Sequence, residues 1–555
     1  MKFRILSFAL AAVALFSFAA CSEIEEIAPA GGSLTEEQVR ETNVAVPTMG
    51  AAAFNGLYTY LGEPNNPLGG SVRPDCYSFI MITFSDDLEG TDAWIPDSGY
   101  NWFSVCGELS SRDPSYRNPG VRYKSPYDLI GLCNSFISSY PSDVSDPSII
   151  AMIAQARALR AFAYQRLAIN FQFGPEIAPD SLCVPIVLPE TTDFSNNPRA
   201  TTKDVYDLIL SDLNYAVDNL DGYTRPDKSR INKTAALALR ARTYQALGKW
   251  QEAYDDATAA ITAGATEGIA PKTADEIRNS IKTGTAFESI EEKDWIWGFD
   301  MTAVIANVYI VANSSSWLRS FSSAAYSCWC QVYTCVNTLL YDKIPDTDVR
   351  KHWWVDENLK SDLINGLTWN GTDDLATFSD GGDTKTSYIP YTNVKFGCNP
   401  IATEVNTEDF PFIRVDEMYL IQAEAQAHLN EAQGATILTN YVKTYRDPAY
   451  SVTGRGLSLL NEVWFQRRVE LWGEGFNTYD IKRLGKNLVR FQKVGDVVKG
   501  NQPENFAFNL PANDPWLNMR FPQGELDTNH GVVNNTGGEL PKAGQYGDLR
   551  DGVTD

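Results

Sequence analysis

The segment Asn232–Gly264, NKTAALALRARTYQALGKWQEAYDDATAAITAG, constrains the fold more than any other stretch of the chain. Leu237, Ala241 and Tyr244 recur at helical spacing, Gly248 and Trp250 mark a turn, and Ala253, Ala257 and Ala260 line a second helix. Small residues on the facing surfaces let two antiparallel helices pack closely. Such a hairpin exposes an apolar face that only a similar neighbour can cover, so it has to be one unit of a stack. Three weaker segments supply the neighbours: Ile149–Phe171 with Val205–Leu220, Val415–Leu429 with Ala435–Tyr445, and Asn461–Lys486. The expected fold is therefore mostly α, a helical-repeat scaffold of about four helix pairs with long irregular loops and a few short strands.

The hairpin resembles the tetratricopeptide pattern of paired helices. Start signals agree with helices around it. Ser33-Leu34-Thr35-Glu36 is a capping box, and the helix that follows, from about Thr35 to Leu61, can be interrupted at Pro47. Ser145-Asp146-Pro147 reads as a cap followed by proline in the first turn, and Thr201 with Asp204 as another capping box. A further helix is expected from about Pro126 to Tyr140. The period is lost in two long stretches, Gly62 to about Lys124 and Asp294–Phe410, the second opening with a short strand, DWIWGF. From Pro503 onward the chain reads as a wrapping segment with little regular structure.

The first 20 residues read as a secretory signal, with Lys2 and Arg4 before a short apolar run. Phe18-Ala19-Ala20-Cys21 resembles the bacterial lipoprotein box, which makes Cys21 the expected lipidated first residue of the mature chain. Residues 21–32 read as a flexible tether, in which Ser22-Glu23 and Glu25-Glu26 look like an acidic surface-export signal. Residues 33–555 are expected to form one domain with an N-terminal part to 290 and a C-terminal part from 291. No later run approaches the roughly 18 apolar residues of a membrane span. A formal net charge of −24 excludes a phosphate-binding surface and so a nucleic-acid partner.

Catalytic and metal chemistry find little support. Asp86-Asp87, Asp373-Asp374 and Asp380/Asp383 offer carboxylate pairs of the kind a glycosidase needs, but 70 acidic residues produce such pairs by chance. Cys328, Cys330 and Cys335 lie close in sequence without a histidine near them, which favours a local disulfide or buried thiols over a metal; no cofactor is expected. In NEVWFQRRVELWGEGFNTYDIKRLGK, charges stand beside Trp464 and Trp472 and must be paired if buried. Arg467 with Glu470, and Asp480 with Arg483, are three apart, so each pair can meet on one helix face. Gly473 is the expected helix stop between them.

Taken in order, RALRAFAYQRLA, VPIVLPETTDFSNNPRATTKDVYDLILSDLNYAV, Asp348-Val349-Arg350, DFPFIRVDEMYLIQAEAQAHLN and QRRVELWGEGFNTYDIKRLG resemble the SusD/RagB family. FNLPANDPWLN resembles its closing segment, with Asp514 where glutamate is usual. The resemblance implies a non-catalytic, surface-exposed outer-membrane lipoprotein that sits over a SusC-like TonB-dependent transporter. Its implied ligand is an oligosaccharide or polysaccharide, with peptide as the alternative and glycan cleavage as a weaker one.

A sugar ring needs aromatic platforms flanked by amide, carboxylate or guanidinium groups. The first irregular stretch offers Asp92, Trp94, Tyr100, Asn101 and Trp102; the insertion after the tetratricopeptide-like hairpin offers Tyr309, Asn313, Trp317, Arg319, Tyr326 and Trp329. These are the candidate glycan contacts, with Trp102 and Trp317 expected in one aromatic arc. Arg467, Glu470, Asp480 and Arg483 are expected to be structural.

Overall fold

Pro47 divides the first helical stretch into α1 (Glu36–Ala45) and α2 (Pro47–Thr59), because proline in a first turn loses no hydrogen bond there. The structure, a computed structural model, describes residues 36–62, 66–70, 73–76, 78–96, 102–282, 286–301, 315–318, 333–363, 378–380, 383–385, 389–396, 408–547 and 549. Within the first irregular stretch lies a helix the sequence pattern did not announce, α3 (Ser78–Leu88). Phe79, Ile80, Met81, Ile82 and Phe84 are all buried, so the helix is apolar around its circumference and carries no 3.6-residue stripe to read. The short strand β1 (Ala93–Trp94) follows it, and α4 (Arg117–Ser138) begins nine residues before the expected Pro126, which sits inside the helix.

The central element is α5 (Pro147–Phe171). The Asp146 carboxylate accepts hydrogen bonds from the Ser148 and Ile149 N–H groups and fixes its start. Ala154, Ala156, Ala158, Ala161 and Ala163 are fully buried, and these small side chains admit neighbours on several sides. Next in the array is α6 (Thr202–Asn219), held at its start by the expected reciprocal box of Thr201 and Asp204. The tetratricopeptide-like hairpin is α7 (Lys233–Ala246) and α8 (Trp250–Thr266), turned at Gly248 with φ of 64°. Each helix from α4 to α8 packs on the next in sequence.

A shorter helix, α9 (Ala274–Lys282), precedes β2 (Trp295–Phe299), the expected strand, and β3 (Cys335–Val336) lies beyond it. The strand β4 (Phe410–Arg414) then pairs antiparallel with β2, so the long insertion between them leaves and rejoins the scaffold at one place. The array resumes immediately. Helix α10 (Val415–Leu429) packs on α8 and is followed by α11 (Glu431–Tyr445), α12 (Leu459–Glu470) and α13 (Asn477–Leu484). Gly473 and Gly475 take φ of 82° and 80° between α12 and α13, and Gly485 with φ of 62° ends α13. Among the described residues after Pro503, regular structure is limited to short turns, a two-residue strand and the helix Gln523–Thr528.

One pairing read from spacing is corrected. Arg467 does not meet Glu470; its Nε donates to Asp480 Oδ2 at 2.8 Å, across to α13. Asp480 also accepts from Arg483 at 2.9 Å, as expected, and Arg483 reaches on to Glu424 of α10. Glu470 turns the other way and accepts from Arg446 at 2.7 Å and from Arg350 and Arg414 at 3.1 Å each. Spacing of three permits a pair but does not compel it. A buried carboxylate at a helix end takes the partners that donate most, here three guanidiniums from distant segments.

Candidate ligand-binding site

The two irregular stretches that carry the candidate aromatics are brought together. β1 pairs antiparallel with β3, Ala93 opposite Val336 and Trp94 opposite Cys335, which ties the first stretch to the far side of the insertion. Phe103 packs edge-on against Trp317 at 4.8 Å between ring centroids and against Phe84 of α3 at 5.0 Å. Phe84, Ala93, Trp94, Phe103, Trp317, Cys335 and Val336 thus form one common base.

That base is core, and it corrects three of the expected ligand contacts. Trp317 is 0% exposed and Trp94 8%; the Trp94 indole N–H donates to the Val336 carbonyl at 3.2 Å. Asp92 is 1% exposed, and Arg468 grips its carboxylate through two hydrogen bonds at 2.6 and 2.9 Å. The Trp472 N–H donates to the Asp92 carbonyl at 3.0 Å. Large aromatics beside a two-residue ladder fill the space between α3 and the insertion, so these side chains anchor the loops and face away from solvent. Tyr100, Asn101, Tyr309, Asn313, Arg319, Tyr326 and Trp329 lie outside the described residues.

Trp102 differs from them. It is half-buried, and the Arg73 guanidinium lies over its ring at 4.6 Å. Arg73 also holds Asp75 through two hydrogen bonds of 3.0 and 2.9 Å. Burial pushes the Asp75 carboxyl above its ordinary value, against the pull of Arg73. Sequence reasoning missed Arg73 and Asp75; their only signal is a pair of opposite charges flanking Pro74 in a loop otherwise rich in glycine, asparagine and proline. An indole, a guanidinium and a carboxylate at one edge can present an apolar surface to a ring's C–H face and hydrogen bonds to its hydroxyls.

Asp86 and Asp87, one of the candidate carboxylate pairs for catalysis, are engaged elsewhere. Asp86 is ion-paired to Arg122 and Arg166. Asp87 accepts the N–H groups of Gly475 and Asn477 at 3.0 Å each, and burial raises it to about 7. Both are buried, so neither can reach a substrate. Asp380 and Asp383 stand opposite each other in a short hairpin, and Asp373-Asp374 lie outside the described residues. Among the described residues Cys106, Cys133, Cys183 and Cys335 are buried free thiols, and no group of three or more histidine, cysteine or acidic side chains could hold a metal. Cys328, Cys330 and Cys398 lie outside the described residues, as does the side chain of Cys76.

Two family models match the chain in succession. One, described as "Starch-binding associating with outer membrane", covers residues 83–245, and the other, the SusD family, covers 297–537. The chain belongs to the SusD-like family. A SusD-like protein of Bacteroides ovatus is 33% identical over 129 residues; the match spans 22% of this chain and 22% of that protein's own length. A SusD-like carbohydrate-binding protein of Bacteroides vulgatus has a TM-score of 0.66 at 22% identity, covering 88% of this chain and 97% of the other. A laminarin-binding SusD-like protein has a TM-score of 0.57 at 19% identity, covering 88% and 99%. At these identities the structural likeness establishes the SusD-like fold. The first matched segment takes in α3 through α7 and the second runs from β2 past α13, so the loop base lies where elements of both meet.

Proposed function

We propose that this SusD-like chain captures an oligosaccharide or polysaccharide at the cell surface and passes it to a SusC-like TonB-dependent transporter. The reading makes residues 1–20 a signal peptide, Cys21 the lipidated anchor to the outer membrane, and residues 33–555 one non-catalytic binding domain. The observation that carries it is the common base of the two aromatic-rich loops, with half-buried Trp102 and its Arg73–Asp75 pair at the edge. Relatives described as carbohydrate-binding and laminarin-binding support a glycan as the ligand. The occupied state of the Asp86 and Asp87 carboxylates supports binding without turnover.

The glycan contacts proposed are Trp102, Arg73 and Asp75 together with Tyr100, Asn101, Tyr309, Arg319 and Trp329 of the adjoining segments. Titration of laminarin and starch oligosaccharides by calorimetry tests this. The Trp102→Ala variant should bind at least one of them several-fold or more weakly than wild type, since an aromatic platform contributes about 0.5–1.5 kcal/mol beyond the area it buries. Equal affinity in a folded variant would remove Trp102 from the site.

A further inference from the structure

A second feature is a groove lined by none of the residues of the loop base. One face of α4, from Gly120 to Ser138, runs roughly 27 Å along a groove of about 920 Å³. The connection from Pro185 to Asn197 and the short helix Gln523–Thr528 with Pro522 and Asn529 complete its lining. Tyr123 and Tyr127 form part of its floor, and the rim carries two large apolar side chains in solvent, Phe194 at 58% and Leu68 at 41% exposure.

The polar side chains of the walls are spent on the walls themselves. Asn134 donates to the Val187 carbonyl, Asn197 to the Ile186 carbonyl and Asn529 to the Asn197 carbonyl, at 2.8–3.0 Å. Thr191 accepts from the Leu188 N–H, Thr528 donates to the Gly524 carbonyl, and Lys124 pairs with Asp128. A sugar needs free donors and acceptors, so this groove suits an apolar extended segment better than a glycan.

The chain supplies a partly apolar segment beside Ser138, which lines the groove. Helix α1 is held against the last turn of α4, where the Arg40 Nε donates to the Ser138 carbonyl at 2.8 Å and Asn43 to the Ser139 carbonyl at 3.2 Å. Ser138 also lines the groove. The described chain begins one helical turn before Arg40, at Glu36, and the 14 residues from Ser22 to Thr35 can span up to about 46 Å. They include Ile24, Ile27, Ala28, Pro29, Ala30 and Leu34, apolar residues around a proline that favours an extended backbone, while the acidic Glu23, Glu25 and Glu26 can stay in solvent at the segment's start. We propose that residues 22–35 dock along the α4 groove of the same molecule. The short connection gives them an effective concentration on the order of millimolar, so a weak contact is sufficient to fill the groove. Filling and emptying it would set how far the folded domain stands from Cys21.

Gly131 provides the test. It lies on the groove face of α4, and a side chain there would meet nothing within 4 Å, so Gly131→Phe projects a ring into the groove without disturbing the wall. With Ile27→p-benzoylphenylalanine in the full chain at dilute concentration, photolysis should give intramolecular cross-links that map to residues 120–138 or 185–197. Gly131→Phe should reduce them to background with the melting temperature unchanged, and Phe194→Asp should do the same if Gly131→Phe folds poorly. Cross-links mapping elsewhere, cross-links between two molecules, or a yield that Gly131→Phe and Phe194→Asp leave unaltered would each overturn the proposal.

Discussion

Glu470 shows how much of this molecule rests on single buried charges. Its carboxylate accepts from Arg350, Arg414 and Arg446, all nearly or fully buried, and these cations hold it well below the ordinary glutamate range despite burial. Glu470→Ala leaves three guanidiniums without their shared partner, and urea unfolding should register a loss of about 3–5 kcal/mol or failure to fold. Arg467→Ala should lower the melting temperature while leaving ligand affinity nearly unchanged, since the buried Arg467 spends its hydrogen bonds on Asp480. Lys482 adds a pH dependence. Its ammonium is enclosed by the carbonyls of Ile169, Asn170 and Leu517, and burial, with Arg112 nearby, lowers it to about 7 from 10.5. The folded state therefore loses this proton before the unfolded chain does, and Lys482 makes stability rise with pH between those two values. Replacing Lys482 with Met should flatten the change in unfolding free energy between about pH 7 and about pH 9 relative to wild type. At this scale the Asp480–Arg483 pair was legible because both residues share a helix. The partners of Glu470 were not, because they come from residues more than 20 positions away in three different segments.

Elements divide the aromatic residues into anchors and candidates for contact. Trp317 is enclosed by the base it shares with Phe103, so Trp317→Ala should cost about 3–5 kcal/mol in chemical denaturation, as large aromatic truncations in a core do. Trp102 is half-buried, and truncating it should cost far less stability while weakening glycan binding. The α10–α11 hairpin is closed at Gly434, where a Cβ would stand 2.5 Å from the Ala427 backbone nitrogen. Backbone cannot yield as a side-chain tip can, and Gly434→Val should destabilise by about 1–3 kcal/mol or more. The helices with a polar face, such as α6 and α8, could be read from the sequence because one side meets water. Helix α3 could not, because it is buried on every side and periodicity vanishes where there is no solvent face. Likewise Trp94 and Trp317 could not be told from a ligand platform by type, since aromatic residues in an irregular stretch serve either purpose and only their exposure separates them.

For the molecule as a whole, a rigid stack of helices carries two long departures that meet at one base. The stack runs from α4 through α8, resumes at α10 after the insertion, and is fastened to that insertion by Asp348, Arg350 and Lys395 around Glu470 and Glu474. Its order along the chain was readable because repeat units announce themselves by period. The meeting of the two loops was not, because it depends on β1 pairing with β3 across more than 240 residues. The central claim is that ligand is held where these loops meet. Hydrogen exchange of the full chain, with and without a saturating glycan identified by titration, tests it most directly. Protection on binding should appear in residues 73–76, 96–104 and 302–332 and leave the α4 groove at 120–138 and 185–197 unchanged. Protection confined to that groove, or none at the loop segments under saturation, would contradict the account.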